Sequence, residues 1–393
     1  MLLITETDAL AGFCARLASA PYITVDTEFM REKTYWPILC LVQLAGPDEA
    51  AVVDAMAPGI DLAPLMALMA DPKVLKVFHA ARQDIEIFYH LSGKIPAPLF
   101  DTQVAAMVCG FGDSVGYETL ATKLARARID KSMRFTDWSH RPLSEKQLHY
   151  ALSDVTHLRV AYEKLQEMLD ASDRTRWVKE EMAILTNPAT YKPEPYEAWR
   201  RLKVRSTNAK FLSVLRELAA WRDLAAQEKD VPRNRILRDD ALLNIAAHAP
   251  KTEADLFNTR GLGRNGFSPS MKDAILAAVE KAREREDECA ALLEEKIDLP
   301  RGLAPVVDLL KVLLKLKCES NDVAQRLVAS SGDLEQIAAD DDANVPAMHG
   351  WRREVFGDDA LALKHGKLAL AVKNKNISLV PLESASRKAA ANG

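Results

Sequence analysis

The chain has 393 residues with 52 basic and 56 acidic side chains, and 48% hydrophobic and 27% charged residues describe a globular protein of two or three domains. The five cysteines, Cys14, Cys40, Cys109, Cys289 and Cys318, are scattered without a CxxC pair, which argues against a disulfide framework or a thiolate zinc site and fits a reducing compartment. No stretch reaches the roughly 18 uninterrupted apolar residues of a membrane span, and the start MLLITETDAL lacks a basic signal segment, so a cytoplasmic protein is expected.

In chain order, the segments YITVDTEFM, ILCLVQLA, AAVVDA and KVLKVFHA read as strands. Helices are predicted near 62–70, 82–91, 101–109, 117–127 and 144–170, the last opened by Ser144 with Gln147 three residues on. Asp101 reads as a helix N-cap. Strands in succession followed by helices predict a mixed sheet flanked by helices. The segment NPATYKPEPYE, with Pro188, Pro193 and Pro195, reads as a linker, and the pattern beyond it is helical almost throughout.

Four acids do not fit this frame as folding elements. Asp26 and Glu28 lie two apart on an apolar strand, so both point to one face of the sheet. Like charges there need a positive partner, and hard divalent cations such as Mg²⁺ or Mn²⁺ take oxygen ligands of this kind. Asp84 opens a helix, where the helix dipole alone would favour an acid. Tyr150 and Asp154, four apart on the long helix, share a face.

Two motif matches lead elsewhere and are set aside. GLGRNG (Gly261, Gly263, Gly266) follows a helical pattern and not a strand, so it reads as a turn between helices. GDSVG, with Ser114, lacks partners for a hydrolase triad and reads as a turn that starts a helix. The tract RRLKVRSTNAKFLSVLR carries Arg200, Arg201, Lys203, Arg205, Lys210 and Arg216 with no acid between them, a candidate polyanion contact or a solvated face at a domain junction.

The remaining segments resemble one family. VDTEFMREKTYWPILCLVQLA, FHAARQDIEIF and DKSMRFTDWSHRPLSEKQLHYALSDV are similar to the three exonuclease motifs of the bacterial ribonuclease D family, DEDD exonucleases with Tyr in the third motif. FLSVLRELAAWRDLAAQEKDVPRNRILRDDALLNIAAHAP followed by DLFNTRGLG resembles an HRDC domain, and DLEQIAADDDANVPAMHGWRREVFG resembles a second, more divergent one. The resemblance implies an α/β RNase H-like exonuclease domain over 1–190, a linker over 191–205, and two all-α HRDC-type domains over 206–288 and 289–383. Residues 384–393 are expected to be a disordered tail.

The implied activity is 3′ to 5′ hydrolysis of RNA at two divalent metal ions, Mg²⁺ or Mn²⁺, releasing 5′-mononucleotides and trimming tRNA precursors. By the same resemblance Asp26 bridges the metals, Glu28 and Asp154 complete one site, Asp84 supports the other directly or through water, and Tyr150 orients the attacking water. Further substrate contacts are expected from Phe29, Met30, His79 and Arg141, with simple structural roles as the alternative for each. RNA affinity is expected from Arg200, Arg201, Lys203, Arg205 and Lys210 and from the Trp351, Arg352, Arg353 cluster. A monomer with no nucleotide cofactor is expected. A DNA exonuclease remains the alternative, since discrimination rests on contacts to the 2′-OH, and a non-catalytic nucleic-acid scaffold is the third.

Overall fold

The computed structural model describes residues 2–134, 136–204, 206, 208–259, 268–285 and 302–382. At its N-terminal end a six-stranded mixed sheet forms in the order β1 (Leu2–Ile4), β4 (Ala50–Asp54), β3 (Ile38–Ala45), β2 (Tyr22–Met30), β5 (Leu75–Phe78) and β6 (Leu99–Asp101). β3 runs antiparallel to both neighbours and the remaining pairs are parallel. The central strands read as near-continuous apolar runs because both faces are covered: seven of the eight residues of β3 are buried. On the sheet pack α1 (Thr7–Leu17), α2 (Ala63–Met69), α3 (Arg82–Ser92), α4 (Thr102–Val108), α6 (Glu145–Ala171) and α7 (Thr175–Leu185), around a core that includes Phe13, Val42, Phe78, Phe88 and Leu165.

Two of these elements place the acids. α6 begins with a full capping box, Ser144 and Gln147 each satisfying the other's backbone N–H, and buries Ala151, Asp154, Val155, Leu158, Ala161, Leu165 and Leu169. That stripe repeats at three and four residues, so an acid lies within the buried face of the helix. The turn before α3 is held from across the sheet. Asp101 accepts the backbone N–H groups of Ala80 and Ala81 at 3.0 and 2.8 Å while also capping α4 through Gln103.

The expected helix over 117–127 is shorter and divided, a single turn α5 (Tyr117–Leu120) running into a π-turn at Ala121–Ala125. Ser114, of GDSVG, stands at φ +52° in the turn that leads to α5, whose N-cap is Gly116. The GLGRNG segment lies outside the described residues.

Beyond two short 3₁₀ turns in the linker come α8 (Ala209–Glu228), α9 (Arg233–Ile236), α10 (Asp239–His248), α11 (Glu253–Phe257) and α12 (Pro269–Glu284), closed around Leu215, Leu218, Leu242, Ile245, Leu256, Ile275 and Val279. A third core, with Leu310, Leu313, Ile337, Trp351 and Phe356, belongs to the helices after residue 304. This last block is not all helical as expected. It ends in the antiparallel hairpin β7 (Leu368–Lys373) and β8 (Asn376–Pro381), whose two-residue turn places Asn374 and Lys375 at φ +51° and +65°. Positive φ at both positions is the type I′ signature, the turn whose twist matches a hairpin.

The Trp351, Arg352, Arg353 cluster is not an RNA-facing patch. The Trp351 ring is fully buried and stacks on Trp177 of α7 with centroids 4.4 Å apart, and its Nε1 donates to Glu181 at 3.0 Å. Arg352 donates to Glu181 at 2.6 Å and to the Leu327 carbonyl, and Arg353 pairs with Asp358. Aromatic stacking and a buried ion pair thus dock the last block on the exonuclease unit. No described helix is long and apolar enough to cross a membrane.

Candidate metal centre

The alternation of β2 turns Asp26 and Glu28 to the face that α6 covers, and α6 brings Asp154 down onto them. One carboxylate oxygen from each of the three acids falls within 4.8 Å of the others. The register of β2 against β3 shifts between Glu28 and Phe29, a bulge immediately after the second acid. Burial raises all three carboxyl groups, and mutual repulsion adds to it for Glu28 and Asp154: Asp26 to about 6, Asp154 to about 8 and Glu28 to about 10. Asp154 Oδ1 is buried with no hydrogen-bond partner. An orphaned carboxylate oxygen beside two more oxygen donors fits a hard divalent cation, which would neutralise charges that the protein leaves uncompensated.

Asp84 stands apart from that trio. It is 7% exposed in the first turn of α3 and accepts from the Thr27 hydroxyl, on the residue between the two strand acids. Burial, then the Asp26 charge, raises its carboxyl well above the ordinary range. Tyr150 hydrogen-bonds Asp154 from one turn earlier on α6, and burial together with the surrounding carboxylates pushes its phenol far up, so it remains a proton donor at neutral pH.

Tyr117 was not foreseen. Its hydroxyl donates to the backbone carbonyls of Ser153, at 3.2 Å, and Asp154, and Thr24 Oγ1 donates to the Val155 carbonyl at 2.8 Å. These bonds fix α6 at the turn that carries Asp154. Nothing in one sequence marks Tyr117, because its partners are carbonyls of a helix more than thirty residues away.

Asp26, Tyr117, Tyr150 and Asp154 open into a cleft of about 450 Å³ that His79 and Arg134 also line. His79 Nδ1 lies 2.9 Å from Thr102 Oγ1, and its ring meets Tyr117 edge-on at 5.6 Å. Phe29 is half-buried against the sheet core, and Met30 packs beside Trp138 and Tyr150. Arg141 is not free for a phosphate. It forks onto Asp54 at 2.6 and 2.7 Å, and its other donors reach the carbonyls of Trp138, His140 and Cys40. Its guanidinium holds the mouth of α6 to the end of β4.

The basic tract is likewise not one surface. Arg200 pairs with Glu197, and Arg216 lies over the Tyr196 ring at 5.5 Å. Arg201, Lys203 and Lys210 are exposed, and Arg205 lies outside the described residues.

The raised carboxyl groups link proton binding, metal and stability. A folded pKa above the unfolded value means that the folded chain binds protons more tightly, so this stabilisation is complete below the ordinary carboxylate range and is lost as pH rises through about 6 to 10. Without metal, the melting temperature is expected to fall from pH 5 to pH 9. Mg²⁺ at about 100 times its dissociation constant contributes about 2.7 kcal/mol, and because the cation competes with protons its benefit is larger at pH 9 than at pH 6. Thermal melts with EDTA and with Mg²⁺ test this, and an equal Mg²⁺ shift at both pH values would contradict it.

Comparison with known proteins adds three findings. A family model described as a 3′-5′ exonuclease matches residues 1–170, and one for the HRDC domain matches 211–279. Ribonuclease D of Granulibacter bethesdensis is 51% identical over 380 residues, 96% of each chain, and that of Nitrobacter hamburgensis is 53% identical over 378 residues, 96% of this chain and 98% of its own. The crystal structure of Escherichia coli RNase D, described as an exoribonuclease involved in structured RNA processing, matches with a TM-score of 0.77 at 30% identity, covering 93% of this chain and 98% of that one.

Proposed function

Because this chain belongs to the ribonuclease D family of metal-dependent 3′ to 5′ exoribonucleases, we propose that Asp26, Glu28, Asp84 and Asp154 hold the divalent cations at which it shortens RNA from the 3′ end. The products are 5′-mononucleotides, and precursor tRNAs are among the substrates. The decisive observation is the convergence of three carboxylate oxygens within 4.8 Å, one of the acids keeping a buried oxygen without a partner. When bound, a pair of Mg²⁺ or Mn²⁺ ions supplies a water nucleophile at neutral pH and neutralises charge on the attacking and leaving oxygens.

The chain's own residues do the rest. Asp26, Glu28 and Asp154 would hold the cations through their converging carboxylate oxygens, and Asp84, which accepts from the Thr27 hydroxyl, would assist them. Tyr150, protonated and tied to Asp154, orients the attacking water by hydrogen bond. The cleft wall at His79 and Tyr117 receives the terminal nucleotide. A site that sees only the last nucleotide gains affinity for a structured RNA elsewhere, and the exposed Lys203 and Lys210 on the HRDC side contribute phosphate contacts.

Tyr150→Phe is expected to lower kcat by about a hundredfold, at the low end for a positioned proton-handling group, with KM and the melting temperature little changed. A Phe variant at the wild-type rate would remove Tyr150 from the chemistry. The substrate class is tested by incubating 3′-extended tRNA, unstructured RNA and single-stranded DNA with Mg²⁺, Mn²⁺ or EDTA. Metal-dependent shortening of RNA in preference to DNA is expected, and equal cleavage of DNA would overturn the RNA assignment.

A further inference from the structure

A groove of about 390 Å³ runs between the exonuclease unit, the linker and the HRDC unit. Six cations line it against four carboxylates, Glu86, Glu194, Glu197 and Asp223. Three of the cations are neutralised within the protein: Arg31 by Glu86, Arg200 by Glu197 and Arg233 by Asp223. Arg82, Lys192 and Arg201 are exposed, and their side chains have no hydrogen-bond or ion-pair partner among the described residues.

The groove takes part of its lining from α3, one of the elements that carry the acids, and from the loop that follows β2. Arg82 and Glu86 share one face of α3, two residues before and after the buried Asp84 in sequence, and Arg31 follows the last residue of β2, the strand that carries Asp26 and Glu28. Its far wall is held rigidly. The backbone N–H groups of Tyr35 and Trp36 both donate to Asp230 at 3.0 Å, and the Tyr35 hydroxyl donates to Asp223 at 3.1 Å and accepts from Arg233 at 2.8 Å. The loop after β2 is thereby clamped to the HRDC unit, and the groove exists because the two are docked.

We propose that this groove binds the phosphodiester backbone of the RNA strand just 5′ of the nucleotide being removed, with Arg82, Lys192 and Arg201 as its phosphate ligands. The proposal rests on the assignment of the acids as the hydrolytic site. It adds the course of the strand away from that site and a role for the HRDC unit as one wall of the groove. Unneutralised guanidinium and ammonium groups in a fixed groove read charge and spacing and not sequence. Binding there is therefore independent of base composition and strongly dependent on salt.

The test uses the full chain carrying Arg82→Gln, Lys192→Gln and Arg201→Gln together, all at exposed positions. Affinity for a fluorescent RNA 12-mer is measured in EDTA over a range of KCl, so that binding is read without hydrolysis. The variant is expected to bind about tenfold more weakly at low salt. Its salt slope is expected to be shallower by about 2, since each single-strand phosphate that a cation neutralises adds about 0.7. Wild-type affinity and slope in the variant would overturn the groove. Hydrolysis by the wild-type protein when Mg²⁺ is restored tests the metal centre separately, so failure of either assignment leaves the other to be judged on its own data.

Discussion

Asp26→Asn and Asp154→Asn are each expected to reduce RNA hydrolysis by more than about a hundredfold, beyond the loss that follows removal of even an outer-shell metal partner. The amide keeps the shape of the side chain and its hydrogen-bonding capacity but loses the charge that a hard cation needs. The metal-free fold gains, because Asp26 repels Glu28, Asp84 and Asp154 and all four groups are raised by burial. The variants therefore melt at or above the wild-type temperature in EDTA and lose the stabilisation by Mg²⁺. Single-turnover kinetics paired with melts with and without Mg²⁺ separate this from simple misfolding. Hydrolysis at the wild-type rate in either variant would refute the site.

The largest effect on stability is expected from Arg352→Met. Glu181 is 7% exposed and accepts from both Arg352 and the Trp351 indole. Removing the guanidinium leaves a buried carboxylate without its cation, which destabilises by about 3–5 kcal/mol. Because α7 and the last helical block share this ion pair, the destabilisation falls on their docking, and a separate early transition in urea is expected. The Trp177–Trp351 stack at 4.4 Å provides the fluorescence signal. Adding Glu181→Leu to Arg352→Met is expected to recover much of the stability, since a well-packed apolar pair replaces buried charges at little penalty. An unchanged urea midpoint in Arg352→Met would show that the ion pair does not hold the two units together.

The candidate site was legible because its residues contradict their surroundings. Two acids on a strand whose neighbours are buried cannot be explained by packing, and Tyr150 and Asp154 share a helix face whatever the fold around them. The capping box of Ser144 and Gln147 likewise marked the start of α6 to the residue. What escaped is decided by distant partners. Trp351, Arg352 and Arg353 have the composition of a nucleic-acid patch, but Glu181 and Trp177, on a helix more than 160 residues earlier, turn Trp351 and Arg352 inward, and Arg353 pairs with Asp358. Arg141 looked available for phosphate until Asp54 was brought beside it by the sheet. The edge strands β1 and β6 have three residues each, too few for an alternation to be seen. In the β7–β8 hairpin the alternation of LALAVK and NISLVP was present, but an Asn-Lys turn signals a type I′ geometry less strongly than Asn-Gly, and the segment read as helix.

On the proposed reading, Asp26, Glu28 and Asp154 hold a divalent cation at the place where the 3′ end of RNA is cut. Anomalous diffraction from crystals grown with Mn²⁺ and a nucleoside 5′-monophosphate tests it most directly. An anomalous peak is predicted among those three carboxylates, with Mn–O distances of about 2.0–2.3 Å and the product phosphate beside it in the cleft lined by His79 and Tyr117. Well-ordered product with no peak there, or Mn²⁺ bound only elsewhere, would contradict it.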